Sequence, residues 1–454
     1  MVYVHVPFCR SFCTYCGFYS EVCRDAAAVG PYVRDLCREA AARADEIRAT
    51  RQTDTLYIGG GTPSVLPLSA LGEIVGAVRA AAGRSSGIPS ERTALRTPET
   101  PEGFAEFTVE VNPEDIVEKG ETYARGLRSL GVNRISMGVQ SFDDGILRWM
   151  NRRHTADRAV EAFRILRAAG FENISIDLIF GLPRLSDAEW ERTVGQALAL
   201  APEHISAYQL SVEEGSALAG RVEAGLEAEA SDGQCRRQYD ILCRCLADAG
   251  YRHYEISNFA RPGFEARHNS AYWRRVPYVG LGPGAHSFLP AGGAFASAAK
   301  TADGTACSGS GAHRGTAGEE ASREKDGGVP GAGCGGVRRW NSETPAGWSA
   351  SEERLDEEDV RVETLMLGLR TDRGLPAEQV FALAAPETAE RLLAEGALTE
   401  FEVSREAVPT ETCIPTDGGL SAAPGTVEAD RRERRIRIPE DRFFVSDEII
   451  RELV

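Results

Sequence analysis

Three cysteines near the start of the chain have the spacing that most directly indicates chemistry. Cys9, Cys13 and Cys16 form a C-x3-C-x2-C pattern, and three thiolates this close together can bind three corners of one cubane iron-sulfur cluster. Such a set leaves one iron open for a ligand that the protein does not supply. The alternatives are a zinc site that lacks its fourth ligand and a chance spacing. Zinc prefers paired C-x2-C knuckles, and the later Cys243 and Cys245 form only C-x-C, so the pattern favours a cluster.

Glycines and polar residues also mark the ends of several predicted strands. The run Gly59 to Gly61 can let the backbone approach a ligand closely, although a plain turn would also use glycines. Glu110 stands between two valines, so an alternating strand points its carboxylate away from them, into an active site or into solvent. Gln140 and Asp177 stand among residues that would otherwise form core. A buried polar side chain needs a partner, and a structural hydrogen bond is the alternative to a ligand.

The elements that must position these residues follow a repeated pattern up to about residue 211. Short β-branched or apolar runs alternate with segments that have helical spacing. The predicted strands are Val2 to Val6, Thr55 to Ile58, Phe107 to Val111, Arg134 to Val139, Ile174 to Ile179 and His204 to Leu210. The predicted helices are Pro31 to Ala49, Leu68 to Ala82, Glu121 to Leu130, Thr155 to Ala169 and Asp187 to Ala199. Six strands alternating with helices predict an α/β fold with a parallel (β/α)6 barrel, complete or partial.

In such barrels the loops after the strands build the active site, and the three cysteines directly follow the first strand. Low-complexity sequence interrupts the pattern at about 83–103, 290–336 and 404–435. The predicted domains are the barrel over 1–211, its extension over 212–289, a surface insertion over 290–336 and a C-terminal domain over 337–454 with a second insertion near 404–435. The C-terminal domain is predicted to be small, mainly helical and of winged-helix type. Within it, Phe443 to Val445 reads as a strand that ends at a helix N-cap, Ser446.

Composition excludes some classes of function. Apolar residues make up 42% and charged residues 26% of the 454 residues, which is ordinary for soluble globular domains. Acidic residues outnumber basic ones by 68 to 51, and the net charge of -17 repels phosphate backbones. We therefore expect no nucleic-acid partner. The start lacks the pattern of a signal peptide, and no apolar run is long enough to span a membrane, so a cytoplasmic location is expected.

With Tyr15 directly before the third cysteine, the first motif resembles the signature of the radical SAM superfamily. The resemblance implies a 4Fe-4S cluster held by Cys9, Cys13 and Cys16. Its open iron would chelate the amino and carboxylate groups of S-adenosylmethionine, and one electron would cleave that molecule to a 5'-deoxyadenosyl radical. The G-G-G-T-P, E-x-N-P, G-V-Q-S and G-L-P segments narrow the resemblance to the coproporphyrinogen oxidase-like branch, over residues 1 to about 286 and more weakly from about 356.

The resemblance also implies cofactor contacts at matching positions. The contacts for the cluster-bound S-adenosylmethionine would be Tyr3, Tyr15, Gly60 and Glu110, with Glu110 on the ribose. The positions that hold a second S-adenosylmethionine in the oxidase match Gly61, Thr62, Gln140, Arg152 and Asp177.

The branch contains an oxygen-independent coproporphyrinogen III oxidase and a heme chaperone family, HemW, and three features favour the chaperones. The oxidase has a fourth cysteine two residues after the third, where this chain has Phe18. An H-N-x-x-Y-W motif that begins at His268 resembles one implicated in heme binding by the chaperones. The chain also begins on its first strand, whereas the oxidase carries an N-terminal extension, a difference that an error in the start site would imitate.

The H-N-x-x-Y-W motif has suitable chemistry for heme. His268 can ligate the iron, while Tyr272 and Trp273 offer flat apolar faces to a porphyrin. The alternative is a surface histidine beside a core aromatic pair. Tyr278 and His286, in the segment that follows, are further candidates for the pocket.

Two functions from different classes follow from the resemblance. In the first, the protein binds heme as cargo and transfers it to an acceptor hemoprotein, with the cluster and S-adenosylmethionine controlling assembly or transfer. In the second, it is an enzyme that decarboxylates the propionates of coproporphyrinogen III to vinyl groups. A third interpretation keeps the cluster and assigns an unrelated radical reaction. The expected partners are heme or porphyrin, an acceptor hemoprotein, an electron donor such as flavodoxin or ferredoxin, and membrane hemoproteins contacted peripherally.

Overall fold

A computed structural model describes the structure of residues 1–23, 25–84, 103–290, 335–343, 349–404 and 432–454. The three predicted low-complexity segments lie, except for their ends, outside these described residues. Among the helices that are described, none combines the length and the apolar character needed to cross a membrane.

A nine-stranded, mainly parallel sheet forms the larger part of the fold. In chain order its strands are Val2–Val6 (β1), Thr55–Gly60 (β2), Glu106–Val111 (β3), Arg134–Gln140 (β4), Ile174–Phe180 (β5), His204–Gln209 (β6), Arg252–Glu255 (β7), Asn258–Ala260 (β8) and Val279–Leu281 (β9). Their spatial order is β9-β1-β2-β3-β4-β5-β6-β8-β7. All six predicted parallel strands are confirmed, and β9 adds a seventh, parallel to β1. A β7-β8 hairpin continues the other end of the sheet antiparallel to β6, so the barrel is partial.

The strands divide their side chains between two environments. On β1, Val2, Val4 and Val6 are buried in the apolar core, while Tyr3 lines a cavity on the concave side. This alternation follows from the two-residue period of a strand. Because the outer residues are β-branched or aliphatic, they pack against the covering helices, as parallel sheets require.

Helices connect the strands. They are Val29–Ala42 (α1), Ala44–Ala49 (α2), Leu68–Ala81 (α3), Pro113–Ser129 (α4), Asp144–Trp149 (α5), Ala156–Ala168 (α6), Asp187–Ala199 (α7), Ala217–Glu223 (α8), Asp232–Asp248 (α9) and Arg267–Trp273 (α10). The single predicted helix over 31–49 is two helices that break at Arg43. The predicted helix from Glu121 is the second part of α4, because Gly120, with a non-helical φ of +66°, separates it from a first part that begins at Pro113.

The C-terminal region has the element order of a winged helix. After a three-stranded sheet of His286–Pro290 (β10), Gly336–Asn341 (β11) and Ala350–Arg354 (β12), the elements are Glu357–Gly368 (α11), Leu375–Pro376 (β13), Ala377–Leu383 (α12), Pro386–Ala394 (α13), Thr399–Ser404 (β14), Arg432–Arg437 (β15) and Ser446–Leu453 (α14). The strands β13, β15 and β14 form an antiparallel sheet in that order. One helix, one strand, two helices and two strands therefore follow each other as in winged-helix domains.

The predicted strand over Phe443 to Val445 is wrong. These residues belong to a 3-10 helix, Glu440–Val445, which leads directly into α14. The ring of Phe443 packs edge-on against His253 at 5.0 Å, and the ring of Phe444 lies 5.5 Å from Tyr239. Since both neighbouring aromatics pack against the barrel extension, a strand that alternates their directions would leave one of them without this contact.

A buried ion-pair network joins the barrel to the C-terminal region. Arg43, 1% exposed, donates to Glu39 at 3.0 Å, to Glu46 at 2.7 Å and to the carbonyl of Gly280 at 2.6 Å. Arg339 on β11 donates to Glu46 at 2.7 Å. The break between α1 and α2 at Arg43 therefore lies where its guanidinium joins the two helices to β9, and Glu46 extends the network to β11.

We expect Arg43→Met to destabilise the protein by about 3 to 5 kcal/mol, because the change leaves buried carboxylates without their shared cation. The matched control is Arg38→Met on the same helix, whose side chain is 75% exposed and pairs with Asp35 at the surface; it should cost less than about 1 kcal/mol. Thermal and urea unfolding followed by circular dichroism measure both. Equal losses in the two variants would contradict the role assigned to the network.

Candidate cluster and cofactor site

A cavity of about 740 Å³ lies inside the partial barrel. Its lining includes residues at the carboxyl ends of the parallel strands, where a β/α barrel builds its active site. The three cysteines of the first motif and all nine predicted S-adenosylmethionine contacts line this one cavity. The members of that set are Tyr3, Cys9, Cys13, Tyr15, Cys16, Gly60, Gly61, Thr62, Glu110, Gln140, Arg152 and Asp177.

The cysteine loop is fixed at its base and in its middle. Its ends are held by pairing between two short strands, Phe8–Cys9 and Glu21–Val22. In the middle, the hydroxyl of Thr14 donates to the carbonyl of Trp149 at 2.7 Å. The loop therefore presents its thiols from a backbone that is attached to the end of α5.

Donors from other elements reach the thiols. The hydroxyl of Thr62 donates to Cys9 Sγ at 3.5 Å, and the guanidinium of Arg152 donates to Cys13 Sγ at 3.4 Å. Burial raises the pKa of the Cys9 thiol and raises the pKa of Cys16 to about 11. Iron would reverse this preference, since a coordinating thiol is deprotonated outright.

The loop fits a cubane cluster. All three thiols are free, and the adjacent Gly61 leaves room, since a Cβ there would lie 2.9 Å from the carbonyl oxygen of Phe8 and 3.1 Å from Cys9 Sγ. In the described ranges, no three His, Cys, Asp or Glu side chains converge on a position for a single metal ion. The thiolates of a 4Fe-4S cluster each bind a different iron, so they do not need to converge in this way.

Glu110 points into the cavity and is held by its neighbours. The hydroxyl of Tyr57 donates to Oε1 at 2.7 Å, and the backbone N–H of Gly60 donates to Oε2 at 3.1 Å. A Cβ at position 59 would come within 2.8 Å of Glu110 Oε1, so a larger residue there would displace this carboxylate. Burial raises the pKa of Glu110 to about 7. The sequence allowed the side chain of Glu110 to point into the site or into solvent. The structure shows that it points into the cavity.

A distorted strand end and a buried arginine form the next part of the wall. Gln140 has a φ of +68°, and the pairing of β4 with β5 shifts between Gly138 and Gln140. Such strained conformations concentrate at functional sites. Arg152 donates to the carbonyl of Gly138 at 2.6 Å and to Asn112 Oδ1 at 2.8 Å. One guanidinium thus connects the cysteine loop with β4 and the end of β3.

Asp177 has partners within the protein. Its carboxylate accepts hydrogen bonds from Ser136 at 3.1 Å and from Ser175 at 3.3 Å. Burial raises the pKa of this carboxyl. Asp177 still lines the cavity, so these structural hydrogen bonds and a contact with a ligand are compatible.

Sequence reasoning missed two residues that hold this site together. Tyr57 orients Glu110, and Asn112 accepts from Arg152 while donating to Thr62 at 3.2 Å. The signal for Tyr57 was the strand period, which places it on the same face as Gly59, the first glycine of the loop. Asn112 stood in the quoted E-x-N-P segment, but nothing local indicated its two partners.

The face of α10 that carries His268 also belongs to the cavity wall. His268 and Tyr272 are one helical turn apart and both line the cavity, but Trp273 is not among the described residues that do. His268 is 2% exposed, with Nδ1 2.8 Å from Thr55 Oγ1 and Nε2 3.0 Å from the hydroxyl of Tyr272. Burial lowers the pKa of His268 to about 3, so the ring is neutral near pH 7. The alternative of a surface histidine is therefore wrong.

The two further candidates for the heme pocket, Tyr278 and His286, do not line the cavity. The ring of Tyr278 packs edge-on against Tyr272 at 4.7 Å, behind the wall. His286 is exposed at the start of β10 and stacks against Trp340. Among the described residues, neither of the two contributes to the surface of the cavity.

A partial parallel barrel with three cysteines after its first strand and a glycine loop after its second defines a radical SAM protein. In agreement, the Radical SAM superfamily matches residues 3–197. Membership implies a 4Fe-4S cluster and S-adenosylmethionine. We propose that Cys9, Cys13 and Cys16 would hold the cluster and that the cavity beside them would hold S-adenosylmethionine.

Comparison with known proteins narrows the class. The heme chaperone HemW of Lactococcus lactis is 36% identical over 287 residues, which is 63% of this chain and 69% of that protein. HemW of Mycobacterium tuberculosis is 31% identical over 412 residues, 87% of this chain and 88% of that protein. The chain therefore belongs to the HemW family within the radical SAM superfamily.

A solved structure shows the same fold. The coproporphyrinogen III oxidase HemN of Escherichia coli, a radical SAM enzyme, aligns with a TM-score of 0.64 over 99% of this chain and 89% of that chain. The two sequences share 19% identity, so this likeness concerns the architecture and not the reaction.

We expect each of Cys9→Ser, Cys13→Ser and Cys16→Ser to lose the cluster, because a serine hydroxyl does not replace a thiolate ligand of iron. The measurement is the visible absorbance and iron content after anaerobic reconstitution. Cys243→Ser and Cys245→Ser, on the distant helix α9, are the matched controls and should keep both signals. Loss of the cluster in either control would show that the ligand set is wrong.

The pKa of Glu110 predicts how S-adenosylmethionine binding depends on pH. Since this pKa is raised to about 7, the carboxylate that would accept from the ribose hydroxyls dominates above pH 7 and is lost below it. We expect the affinity to fall by up to about tenfold between pH 8 and pH 6. Isothermal titration of the reconstituted protein measures this, and Glu110→Gln should bind more weakly with a flat profile. An unchanged slope in the variant would assign the titration to another group.

Proposed function

We propose that the protein binds heme in the barrel cavity and transfers it to an acceptor hemoprotein. The observation that carries the proposal is that α10 places His268 and Tyr272 in the wall of the same cavity that the cluster cysteines line. Heme bound there would lie beside the cluster site. The cluster and S-adenosylmethionine would then control assembly or transfer.

Two further observations support a chaperone. The relatives from Lactococcus lactis and Mycobacterium tuberculosis are both named heme chaperones. Phe18, where the oxidase has a fourth cysteine, is 73% exposed and lines the cavity, as does Phe12, which is 52% exposed. Two exposed aromatic rings at the opening of a cavity suit the entry of a flat apolar macrocycle.

The state of His268 suits iron ligation in one respect and opposes it in another. The neutral imidazole is the form that binds metals, and burial keeps His268 neutral. However, Nε2 shares a hydrogen bond with Tyr272 and Nδ1 one with Thr55. Ligation through Nε2 therefore requires the hydroxyl of Tyr272 to move away. Trp273 is not among the described residues that line the cavity, so it would affect heme binding only indirectly, through the packing of α10.

The oxidase function is the second candidate. It is favoured by the presence of Gln140, Arg152 and Asp177 in the cavity, at positions that match the second cofactor site of the oxidase. A 4Fe-4S cluster with S-adenosylmethionine supplies a radical that abstracts hydrogen. Within this chain, Arg152 and Asp177 would hold the reactants, and burial inside the barrel would exclude water from them. Phe18 is the residue that argues against this candidate.

Partners follow from the proposed function. A heme donor or free heme supplies the cargo, a hemoprotein accepts it, and a small electron-transfer protein such as a flavodoxin or ferredoxin reduces the cluster. Contact with a membrane hemoprotein would be peripheral. We propose that all of this takes place in the cytoplasm.

We expect the anaerobically reconstituted protein to bind about one heme per chain. If His268 ligates the iron, His268→Ala should shift the Soret band and weaken binding about tenfold, or about 1.4 kcal/mol, while the cluster absorbance stays. Tyr272→Phe is the matched variant: it frees Nε2 and should keep the Soret position with equal or tighter binding. Spectroscopic titration with hemin measures these effects.

The opposite results separate the two functions. Wild-type protein that binds no heme, yet converts coproporphyrinogen III to protoporphyrinogen IX with S-adenosylmethionine and a reductant, would replace the chaperone proposal with the oxidase. Heme binding that is unchanged in His268→Ala would keep the chaperone and remove this residue as the ligand.

A further inference from the structure

Arg134 is a buried cation for which the described residues provide no hydrogen-bond or ion-pair partner. It is the first residue of β4, is 2% exposed and lines the barrel cavity. Its Nε has no hydrogen-bond partner, and within the described part of the chain its side chain makes no hydrogen bond or ion pair. An arginine stays protonated inside a protein, and an isolated buried charge is costly. Its guanidinium therefore offers the cavity donors that no described protein group uses.

The position of Arg134 separates it from the cluster. Along β4, Gly138 contacts Arg152 at the cluster end, whereas Arg134 starts the strand. Four residues of extended strand span about 13 Å. His204, which starts β6, and Asn258 on β8 line the same part of the cavity. We call this end, formed by Arg134, His204 and Asn258, the cavity floor.

The nearest carboxylates do not neutralise Arg134 by contact. The positive charge of Arg134 lowers the pKa of both Glu110 and Asp177, against the larger effect of burial. Neither carboxylate forms an ion pair with Arg134. The oxygens of Glu110 accept from Tyr57 and Gly60, and those of Asp177 accept from Ser136 and Ser175. The raised pKa of each carboxyl shows that burial works against its ionised form. Neither of these two carboxylates therefore occupies the N–H donors of the Arg134 guanidinium.

A second unsatisfied donor stands beside Arg134. Thr108 on β3 pairs with Arg134 in the sheet register and is fully buried. Its hydroxyl likewise has no hydrogen-bond partner among the described residues. Neighbouring strands are about 4.8 Å apart, so both side chains lie on the concave face next to each other. Thr108 is not among the described residues that line the cavity, so a ligand at the floor would contact Arg134 itself.

We propose that Arg134 binds a carboxylate of the cavity's ligand, namely one propionate of the tetrapyrrole. A guanidinium matches a carboxylate with two parallel N–H···O bonds, and the exclusion of water at the floor strengthens them. The inference rests on the proposed function for the identity of the ligand. It adds an orientation: one propionate points away from the cluster, and the opposite edge of the macrocycle faces the cysteines.

The test compares heme with its dimethyl ester, in which both propionates are uncharged, on the anaerobically reconstituted full-length protein. Wild type should bind heme at least about tenfold more tightly than the diester. Arg134→Gln should lose this preference by weakening heme alone, and Arg134→Lys should restore part of it, because lysine keeps the charge but not the fork. Arg164→Gln, on the exposed face of α6, makes the same change of charge and should retain the full preference.

The outcomes separate this inference from the proposed function. Equal affinity of wild type for heme and the diester would overturn the role of Arg134 while the heme chaperone stands. Equal weakening of both ligands in Arg134→Gln would show a structural role and would also overturn it. If wild type bound neither ligand, the proposed function would fail first. Because the comparison on wild type needs no variant, misfolding of Arg134→Gln does not leave the inference undecided.

Discussion

A parallel strand that is covered on both faces must place half its side chains in an apolar layer and half in the interior of the barrel, and the whole site depends on this constraint. On β4, Ile135, Met137 and Val139 enter the core while Ser136 and Gln140 line the cavity. Several buried polar groups on the inner face have partners from another strand, as Tyr57 with Glu110 and Ser136 with Asp177. The result is a network whose members fix one another before any ligand arrives.

Much of this architecture could be predicted from local sequence because the two-residue and helical periods are local properties. All six parallel strands were predicted within one or two residues of their observed ends. Elements whose form depends on contacts with distant parts of the sequence were not predicted correctly. The break at Arg43 lies where this residue has partners on β9 and β10, and the helical form of Phe443 goes with its packing against a ring of the barrel extension. Neither cause lies within the window that a periodicity argument uses.

The site shows the same division. The cysteines, the glycine loop and Glu110 are recognisable from short motifs, because each motif follows directly from one strand and its turn. The environment of His268 could not be predicted in this way. Its hydrogen-bond partner Thr55, at 2.8 Å in the fold, is 213 positions away in sequence. Local sequence therefore suggested a surface residue as the alternative, where the fold has a buried one. Arg134 belongs to no motif that the sequence analysis recognised. It is notable only because the described residues around it provide no hydrogen-bond or ion-pair partner, and this depends on the fold.

The outermost strand of the barrel sheet, β7, is completed by the winged-helix region. Thr371 forms a β-bridge with Glu255, and the backbone N–H of Asp372 donates to the carbonyl of Tyr254 at 3.0 Å. An open sheet differs from a closed barrel in having such edges, and an uncovered edge is a template for pairing with other chains. Removal of the C-terminal region would therefore do more than shorten the protein. It would leave the edge of β7 open to pairing with other chains, so the C-terminal region also protects the sheet against edge-to-edge association.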